Sequence, residues 1–410
     1  MKKVVIITSG QPSGNPRMTK EAIALYLAGF EVKVIYCPMS IWGDNFDREL
    51  FDLYPGINWI SVGAHPVLNK QTFFLTRIRR KIWELFYKCF GDTYNAALRA
   101  SSLYSQDLER EAIKHESDLY IGHNLGSIKA VVDSSKKHGG MSSFDFEDFH
   151  RGEDLKDSKH WKLVTAIENR FIPFINSFTA ASPLINEEYQ TTYSNINILS
   201  ILNVFNKSDC SVFIDSNIRK LKLFWFSQTI GKGRGLECLI EAIGLTKQRD
   251  ITLTLLGNIT DEMKVFLTEL TNLNGLELDQ VIFKETCSLS EISKIASQHH
   301  IGICSENPKT KNRDLCLTNK IFTYIMNKNA IVCTSTRAQC EFLYQYPGVG
   351  FEYEVADTKE LSSILLKYYF DRLLLNEHRN NGFQYSITKL NWEIESQKLV
   401  GYYKSAFGDH

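Results

Sequence analysis

Short apolar runs alternate along the chain with stretches in which apolar residues recur at helical spacing. In the first half the apolar runs predict strands at residues 3–8, 31–36, 58–62, 118–121, 143–146, 177–181 and 196–201. The helical spacing predicts a helix that ends near Gly29 and two longer helices at about 73–90 and 92–116. Short apolar strands that alternate with helices are typical of a parallel sheet covered on both faces.

The second half repeats this order after a polar stretch without clear periodicity. Strands are predicted at 222–226, 252–256, 281–283, 301–304 and 330–333, with helices near 236–247, 261–272, 289–298 and 319–327. We therefore predict an N-terminal domain at 1–205, a linker at 206–218 and a C-terminal domain at 219–388. A last helix is expected within 389–410, and its apolar positions need a packing partner because a lone terminal helix is marginal in water.

Composition excludes several classes of protein. The 410 residues carry 47 basic and 47 acidic side chains, and this balance argues against a general nucleic-acid binder. No segment approaches the roughly 20 apolar residues that span a bilayer, and the apolar part of the opening MKKVVIITSG is too short for a secretion signal. The nine cysteines lack the spacing of zinc sites, which favours free thiols in a reducing cytoplasm.

The most informative motif is the glycine-rich turn GKGRG after the apolar run at 223–226. A helix with Leu236, Leu239 and Ile240 on one face begins directly after it. Backbone N–H groups at a helix start, with Lys232 and Arg234 nearby, favour a phosphate or diphosphate site. The turn matches neither the Walker pattern nor the dinucleotide-binding one. The alternative is that both cations are solvated turn residues.

Polar residues at strand ends of the first half form a second group of candidates. Gly14 and Arg17 follow the first strand, and His123 closes the strand at 118–121. A dense run of ionisable residues follows the next strand and contains Asp145, Glu147, Asp148 and His150. Carboxyl ends of parallel strands are where doubly wound folds bind ligands. A tight turn, a structural histidine and helix-capping acids are the alternative interpretations.

These loops, in this order and together with the segment CLTNKIFTYIMNKNAIVCTS, resemble the GT-B glycosyltransferases, specifically their large retaining group four. That group includes bacterial cell-surface polysaccharide enzymes. The resemblance covers nearly the whole chain and implies two Rossmann-like, doubly wound domains facing across a cleft, with the last helix crossing back to the N-terminal domain. It further implies a hexosyltransferase that moves a sugar, with retention, from a nucleotide-diphosphate sugar to a glycan or lipid-linked glycan, with no metal or other cofactor.

The resemblance also assigns roles to residues on the donor side. Arg234 and Gly235 stand where the family has the Lys-Gly pair that binds the donor diphosphate. The family's second cation would fall near Gln228, which is uncharged, and Lys232 would replace it. Three more positions are expected at the diphosphate: Asn319 and Lys320 at the start of a helix, and Gly14, where the backbone can approach closely.

The chain departs from the family's E-x7-E motif. Thr323 stands at the place of the second acid and Leu315 at the place of the first. Glu306, just after the strand at 301–304, is therefore interpreted as the acceptor of a sugar hydroxyl. His123 is expected to touch the donor sugar. The acceptor side is assigned to the first-half group of Arg17, Asp145, Glu147, Asp148 and His150.

Two alternative functions remain open at this point, a non-hydrolysing nucleotide-sugar 2-epimerase and a non-catalytic GT-B binding subunit. The stretch 75–88 is basic and rich in apolar residues. It is expected to touch an anionic membrane surface, which would place the protein at the cytoplasmic face of a bacterial inner membrane. The alternative is that its apolar face packs on the N-terminal sheet.

Overall fold

The computed structural model describes residues 1–210 and 220–408. Most of the predicted linker, 211–218, lies outside the described residues. The chain forms two compact units. The first unit contains Met1–Leu202, Thr310–Asn312 and the end of the chain from Ser396 onward, and the second contains Asn203–Lys309 and Arg313–Glu395.

A seven-stranded parallel sheet forms the centre of the first unit. Its strands are Lys3–Thr8 (β1), Glu31–Tyr36 (β2), Asn58–Ser61 (β3), Leu119–His123 (β4), Met141–Phe146 (β5), Ser177–Ala180 (β6) and Ile198–Ser200 (β7), in the order β3-β2-β1-β4-β5-β6-β7. The helices are Pro16–Leu27 (α1), Ile41–Leu53 (α2), Lys70–Phe90 (α3), Ala96–Ser101 (α4), Ser105–Ala112 (α5), Ile128–His138 (α6), Lys159–Phe171 (α7) and Pro183–Thr192 (α8).

A six-stranded parallel sheet forms the centre of the second unit. Its strands are Leu221–Thr229 (β8), Ile251–Asn258 (β9), Val281–Lys284 (β10), Ile301–Cys304 (β11), Ala330–Thr334 (β12) and Gly350–Tyr353 (β13), in the order β10-β9-β8-β11-β12-β13. The remaining helices are Leu236–Thr246 (α9), Asp261–Leu273 (α10), Leu289–Ala296 (α11), Lys311–Leu315 (α12), Asn319–Met326 (α13), Arg337–Gln345 (α14), Thr358–Phe370 (α15), Arg372–Thr388 (α16) and Trp392–Ala406 (α17).

The prediction of two doubly wound parallel sheets is confirmed. The central strands are buried on both sides, as in β4, where all five residues are buried, because helices cover both faces of a parallel sheet. The helix predicted at 92–116 is wrong as a single element. Tyr94 and Asn95 have φ of 52° and 58°, a left-handed backbone that an α-helix cannot contain, and α4 ends before α5 begins.

The last helix, α17, supplies residues to both units. Its residues up to Glu395 belong to the second unit, and those from Ser396 onward belong to the first. Leu399 and Tyr403 are buried, and the Tyr403 hydroxyl donates to Glu21 on α1 over 2.9 Å. The later apolar positions of this helix, Leu399 and Tyr403, are therefore buried in the first unit, whereas Trp392 belongs to the second.

Within residues 1–210 and 220–408, no helix is both long enough and apolar enough to cross a bilayer.

Candidate functional site

A buried polar network occupies the carboxyl ends of β4 and β5 in the first unit. His123 and Asp145 are register partners on these strands, and His123 is fully buried. Its Nε2 lies 2.7 Å from an oxygen of Glu21, and its Nδ1 lies 2.9 Å from an oxygen of Glu147. Burial opposes the charged imidazolium, but hydrogen bonds to Glu147 and Glu21 outweigh it and raise the pKa of His123 to about 10.

Both ring nitrogens of His123 are thus engaged by carboxylates, and the ring is closed off from solvent. The sequence-based prediction placed His123 against the donor sugar. In the structure its evident effect is to hold Glu21 and Glu147 in place as a buried cation.

Arg17 and Asp145 form a buried ion pair beside this histidine. Arg17 Nε and Nη2 donate to the two carboxylate oxygens over 2.7 and 2.8 Å. Burial would raise the pKa of Asp145, but the Arg17 guanidinium and the His123 ring hold it below its usual value. Thr179 also donates to Asp145. Neither charge of the pair faces solvent, so a direct acceptor contact by Arg17 or Asp145 would require rearrangement.

Glu147 is the accessible member of the network. Its side chain is 17% exposed, against at most 1% for His123 and Asp145. Asn15 and Asn124 donate to its carboxylate from the loops after β1 and β4. A ligand that approaches this strand end would therefore meet Glu147 first. Gly14, beside Asn15, is exposed, and a Cβ added to it would meet open space.

One ligand atom each from His123, Asp145 and Glu147 lies within 4.8 Å of the others, as in a metal site. A metal would have to displace the proton of His123, whose pKa is raised to about 10, and compete with Arg17 for Asp145. Cations of the chain already balance these carboxylates. We therefore interpret the group as a hydrogen-bonded network.

Asp148 and His150 belong to a different set of contacts, although they follow Glu147 closely in sequence. Asn312 donates to Asp148 over 2.9 Å. His150 is buried, and its Nδ1 lies 2.7 Å from Glu153. Burial disfavours its charge, but the Glu153 carboxylate raises the pKa of His150 to about 9. The predicted acidic run therefore divides after Glu147.

In the second unit the glycine-rich turn lies between β8 and α9 as predicted. Gly233 and Gly235 have φ of 71° and 75°. This left-handed backbone conformation is strained for residues that carry a Cβ atom. A Cβ on Gly235 would also lie 2.7 Å from Cβ of Ser305. The Ser305 hydroxyl donates to the carbonyl of Arg234 over 2.7 Å, so the loop after β11 is fastened to this turn. The N-cap Gly235 offers no side chain, which leaves the first N–H groups of α9 without a side-chain cap.

Three cations surround this turn. Arg234 is half-buried and donates to Ser227 over 3.1 Å, and Lys232 Nζ lies 4.7 Å from the ring centroid of Phe266. The third is Lys309, whose Nζ would lie 3.9 Å from a Cβ on Gly233. Sequence reasoning missed Lys309, which is far from the turn along the chain. No local sequence pattern marks it, and only the adjacency of β8 and β11 in the folded sheet brings its loop to the turn.

Glu306 and Lys320 lie together beyond the end of β11. Glu306 Oε1 is 2.5 Å from Lys320 Nζ, and its Oε2 is 3.2 Å from Arg313 Nη1. Glu306 is buried, and both of its carboxylate oxygens are paired with cations. In this arrangement its carboxylate is not free to accept a hydrogen bond from a sugar hydroxyl. A cation at the start of a helix needs a compensating anion, and for Lys320 at the start of α13 the Glu306 carboxylate provides it. The position of Lys320 therefore does not by itself indicate a bound phosphate.

The remaining predicted donor positions differ in accessibility. Asn319 is exposed in the first turn of α13. Thr323 is buried, and its hydroxyl donates to the carbonyl of Asn319 over 3.1 Å. Leu315 is fully buried. The two places where the family has acids are therefore packed into the second unit, and neither offers a carboxylate.

Comparisons with known proteins give the fold. No protein-family model matches the chain, and no curated protein matches it. Among solved structures, Anabaena Alr3699/HepE in complex with UDP matches with a TM-score of 0.72 and 14% identity over 99% of this chain and 100% of that one. Sucrose-phosphate synthase from Thermosynechococcus elongatus matches with a TM-score of 0.72 and 12% identity over 100% of both chains. A glycosyltransferase from Rickettsia africae matches with a TM-score of 0.69 and 14% identity over 100% of this chain and 99% of that one.

These likenesses span the whole chain, at sequence identities that inform on fold alone. The two Rossmann-like units of seven and six parallel strands are those of the GT-B fold. The same fold supports different activities, so function has to be argued from the residues of the two sites.

Proposed function

We propose that the chain is a glycosyltransferase that uses a nucleotide-diphosphate sugar as donor. The observation that carries this proposal is the turn between β8 and α9. It combines uncapped N–H groups of a helix start with Arg234, Lys232 and Lys309. Such a site suits an anion, and the GT-B fold is shared with a protein solved in complex with UDP-glucose, Anabaena HepE.

The chemistry follows from the charge that develops during transfer. As the bond between sugar and phosphate breaks, the departing diphosphate gains negative charge. Cations and helix N–H groups already in place stabilise that charge without reorganising. Arg234 is suited to this because its planar guanidinium can bind two phosphate oxygens at once. No step of this outline requires a metal or another cofactor.

On the acceptor side we assign the strand-end network of the first unit. Glu147 would orient an acceptor hydroxyl, and His123, Asn15 and Asn124 would position Glu147. We further propose transfer with retention to a glycan or lipid-linked glycan in bacterial surface polysaccharide synthesis, with the protein at the cytoplasmic face of the membrane. These finer points rest on the resemblance in sequence to the retaining group-four enzymes.

A second candidate function, a non-catalytic GT-B binding subunit, is favoured by one observation. Glu306 is neutralised by Lys320 and Arg313, and the positions of the family's acids hold Leu315 and Thr323. Such a subunit would keep the anion site around Arg234 and lack turnover.

Two measurements on the full chain test these candidates in order. A panel of nucleotide sugars is screened for thermal stabilisation. A ligand at a concentration 100 times its Kd adds about 3 kcal/mol to the free energy of unfolding. Slow hydrolysis of the stabilising donor is then followed by release of the nucleoside diphosphate. Stabilisation with hydrolysis supports the enzyme, stabilisation alone supports the binding subunit, and no stabilisation by any donor contradicts both.

A further inference from the structure

Helix α3 leaves an apolar stripe open to solvent. Phe74, Leu75, Ile78, Ile82 and Leu85 are 63%, 61%, 40%, 59% and 65% exposed. Their spacing places them along one face of the helix. Large apolar side chains that form a continuous exposed patch mark an interaction surface more often than chance exposure does. The sequence-based alternative, that this face packs on the N-terminal sheet, is wrong.

The opposite face of α3 fixes the helix to the first unit. Thr76 is buried, and Arg79 donates to Asp107 over 2.9 Å. The guanidinium carbon of Arg99 lies 4.5 Å from the ring centroid of Trp83, and Tyr87 donates to a backbone carbonyl of α7. Trp83, which lies within the basic stretch 75–88, therefore belongs to this anchored face. The exposed stripe is thus held outward by a helix that is anchored along its length.

A row of cations borders the stripe. Lys70, Arg77, Lys81 and Lys88 are all exposed and recur at intervals that place them along one edge of α3. In the part of the chain that the structure describes, none of the four forms an ion pair. The single acid of α3, Glu84, is held by Lys159 over 2.8 Å and by Arg80 over 3.6 Å. The edge of the stripe therefore carries positive charge without local compensation.

We propose that the exposed stripe and the cation row dock the protein on a membrane surface rich in anionic lipids. The stripe would enter the boundary between headgroups and acyl chains, and the cations would meet lipid phosphates. A second copy of the chain is the less suitable occupant, because pairing two stripes would bring two uncompensated cation rows together. This inference gives a face and a lipid class to the membrane contact proposed above, and it holds whether or not the chain transfers sugars.

Vesicle sedimentation with the full chain tests the proposal without any donor or acceptor. Vesicles of phosphatidylcholine alone are compared with vesicles in which about a third is phosphatidylglycerol. We expect binding to the second kind only, weakened by added salt. The triple variant R77A/K81A/K88A should bind about 100-fold more weakly, at about fivefold per cation near an anionic surface. The variant I78E/I82E should also lose binding, because charge would then have to enter the interface.

Matched control variants distinguish binding through this face of α3 from nonspecific adsorption to vesicles. L273E and L373E change exposed leucines of the second unit, and K247A/K264A/K359A removes three exposed cations there. These variants should bind vesicles as the parent chain does, and circular dichroism should show all variants folded. Equal binding to both vesicle types, no binding, or loss in the controls alone would overturn the proposal. So would a concentration-dependent dimer that I78E/I82E disrupts, because the occupant would then be a second copy. If the chain does not bind vesicles but still hydrolyses a sugar donor, the membrane proposal is overturned and the proposed transferase activity is unaffected.

Discussion

At the scale of single residues, pairing decides which charged groups can meet a ligand. Arg17 is paired with Asp145, and Lys320 is paired with Glu306. Among the residues that the structure describes, the Arg234 guanidinium donates to a neutral group, the Ser227 hydroxyl, and forms no ion pair. A guanidinium that is bonded to a hydroxyl loses little when it binds a phosphate. This difference makes Arg234 the strongest single candidate for donor binding.

We predict that Arg234→Ala weakens binding of a nucleoside diphosphate by about 1.5–3 kcal/mol, the contribution of a hydrogen bond to a charged group. Lys309→Ala should weaken it less, because an exposed ammonium is better solvated. Calorimetry of the diphosphate and of the matching monophosphate measures both effects. The exposed cation Lys264 on α10 provides the control, as Lys264→Ala should change neither affinity. Unchanged affinity in folded Arg234→Ala would remove the residue from the site.

Glu306 offers a test of a different kind. If it accepts a donor-sugar hydroxyl, Glu306→Gln should lower transfer more than it lowers binding of the bare nucleoside diphosphate. The structure adds that the same change leaves Lys320 and Arg313 without their anion, so stability should also fall. The double variant E306Q/K320M separates the two effects. If it recovers stability and transfer together, Glu306 acts through the ion pair rather than on the sugar.

His123 predicts a pH dependence of stability. Its pKa is about 10 in the folded chain and about 6.5 when unfolded, so the folded state binds the proton more tightly. The stabilisation is complete below about pH 6.5 and is lost as the pH rises through about 10. The free energies of unfolding of the parent chain and of His123→Gln, measured in urea, should therefore differ most at and below about pH 6.5, by on the order of a few kcal/mol, and should converge at high pH. A difference that stays constant with pH would show that His123 is not held as a cation.

At the scale of elements, the start of α9 is set by two glycines rather than by a capping side chain. Their left-handed backbone and the contact of Gly235 with Ser305 bring the loop after β11 over the turn. The element therefore depends on two segments that are distant in sequence. Arg234 and Lys232 lie in the turn itself, whereas Lys309 comes from the second segment, the loop after β11.

Gly235→Ala should lower the free energy of unfolding by about 1–3 kcal/mol, because its φ of 75° strains a side chain. Gly231→Ala is the matched control in the same turn, since a Cβ there would meet nothing within 4 Å and its φ is not positive. Urea unfolding of both variants gives the comparison. Equal stability of the two would mean that the turn relaxes and does not fix the loop. Gly235→Ala should also bind a nucleoside diphosphate more weakly than Gly231→Ala does.

At the scale of the whole molecule, α17 gives its first residues to one unit and its later ones to the other. Tyr403 connects it to the strand-end network through Glu21 and lies 3.1 Å from the hydroxyl of Ser143. The network around His123 thus depends on the last helix of the chain. A change at the end of the sequence should therefore be felt at the carboxyl ends of β4 and β5.

Deleting residues 391–410 should destabilise the first unit and abolish transfer, although Arg234 remains. Tyr403→Phe is the milder test and should cost about 1–3 kcal/mol, the penalty for leaving a buried partner unsatisfied. Limited proteolysis of the first unit and donor turnover measure the outcomes. A truncated chain with full activity and unchanged protease resistance would refute this dependence. Lys404→Ala, which changes an exposed side chain of the same helix, serves as control.

The sequence alone determined the two parallel sheets, the position of the basic turn and the strand ends that carry polar residues. Apolar runs and helical spacing are local properties, and they can therefore be recognised in a single sequence. The twelve strands predicted from them are all observed with similar bounds, and the largest differences are that the edge strand β13 was not predicted and that β8 continues to Thr229.

Only the tertiary structure decided which of the charged residues are paired and which face of α3 is exposed. Glu21, Lys309 and Tyr403 are brought to their partners from distant segments, and no local pattern marks them. Whether a carboxylate such as that of Glu306 binds a ligand or pairs with a lysine depends on tertiary packing. The spacing of apolar residues along the sequence does not determine that packing. For the same reason the amphipathic pattern of α3 located its apolar face, and its surroundings in the folded chain determined that this face points to solvent.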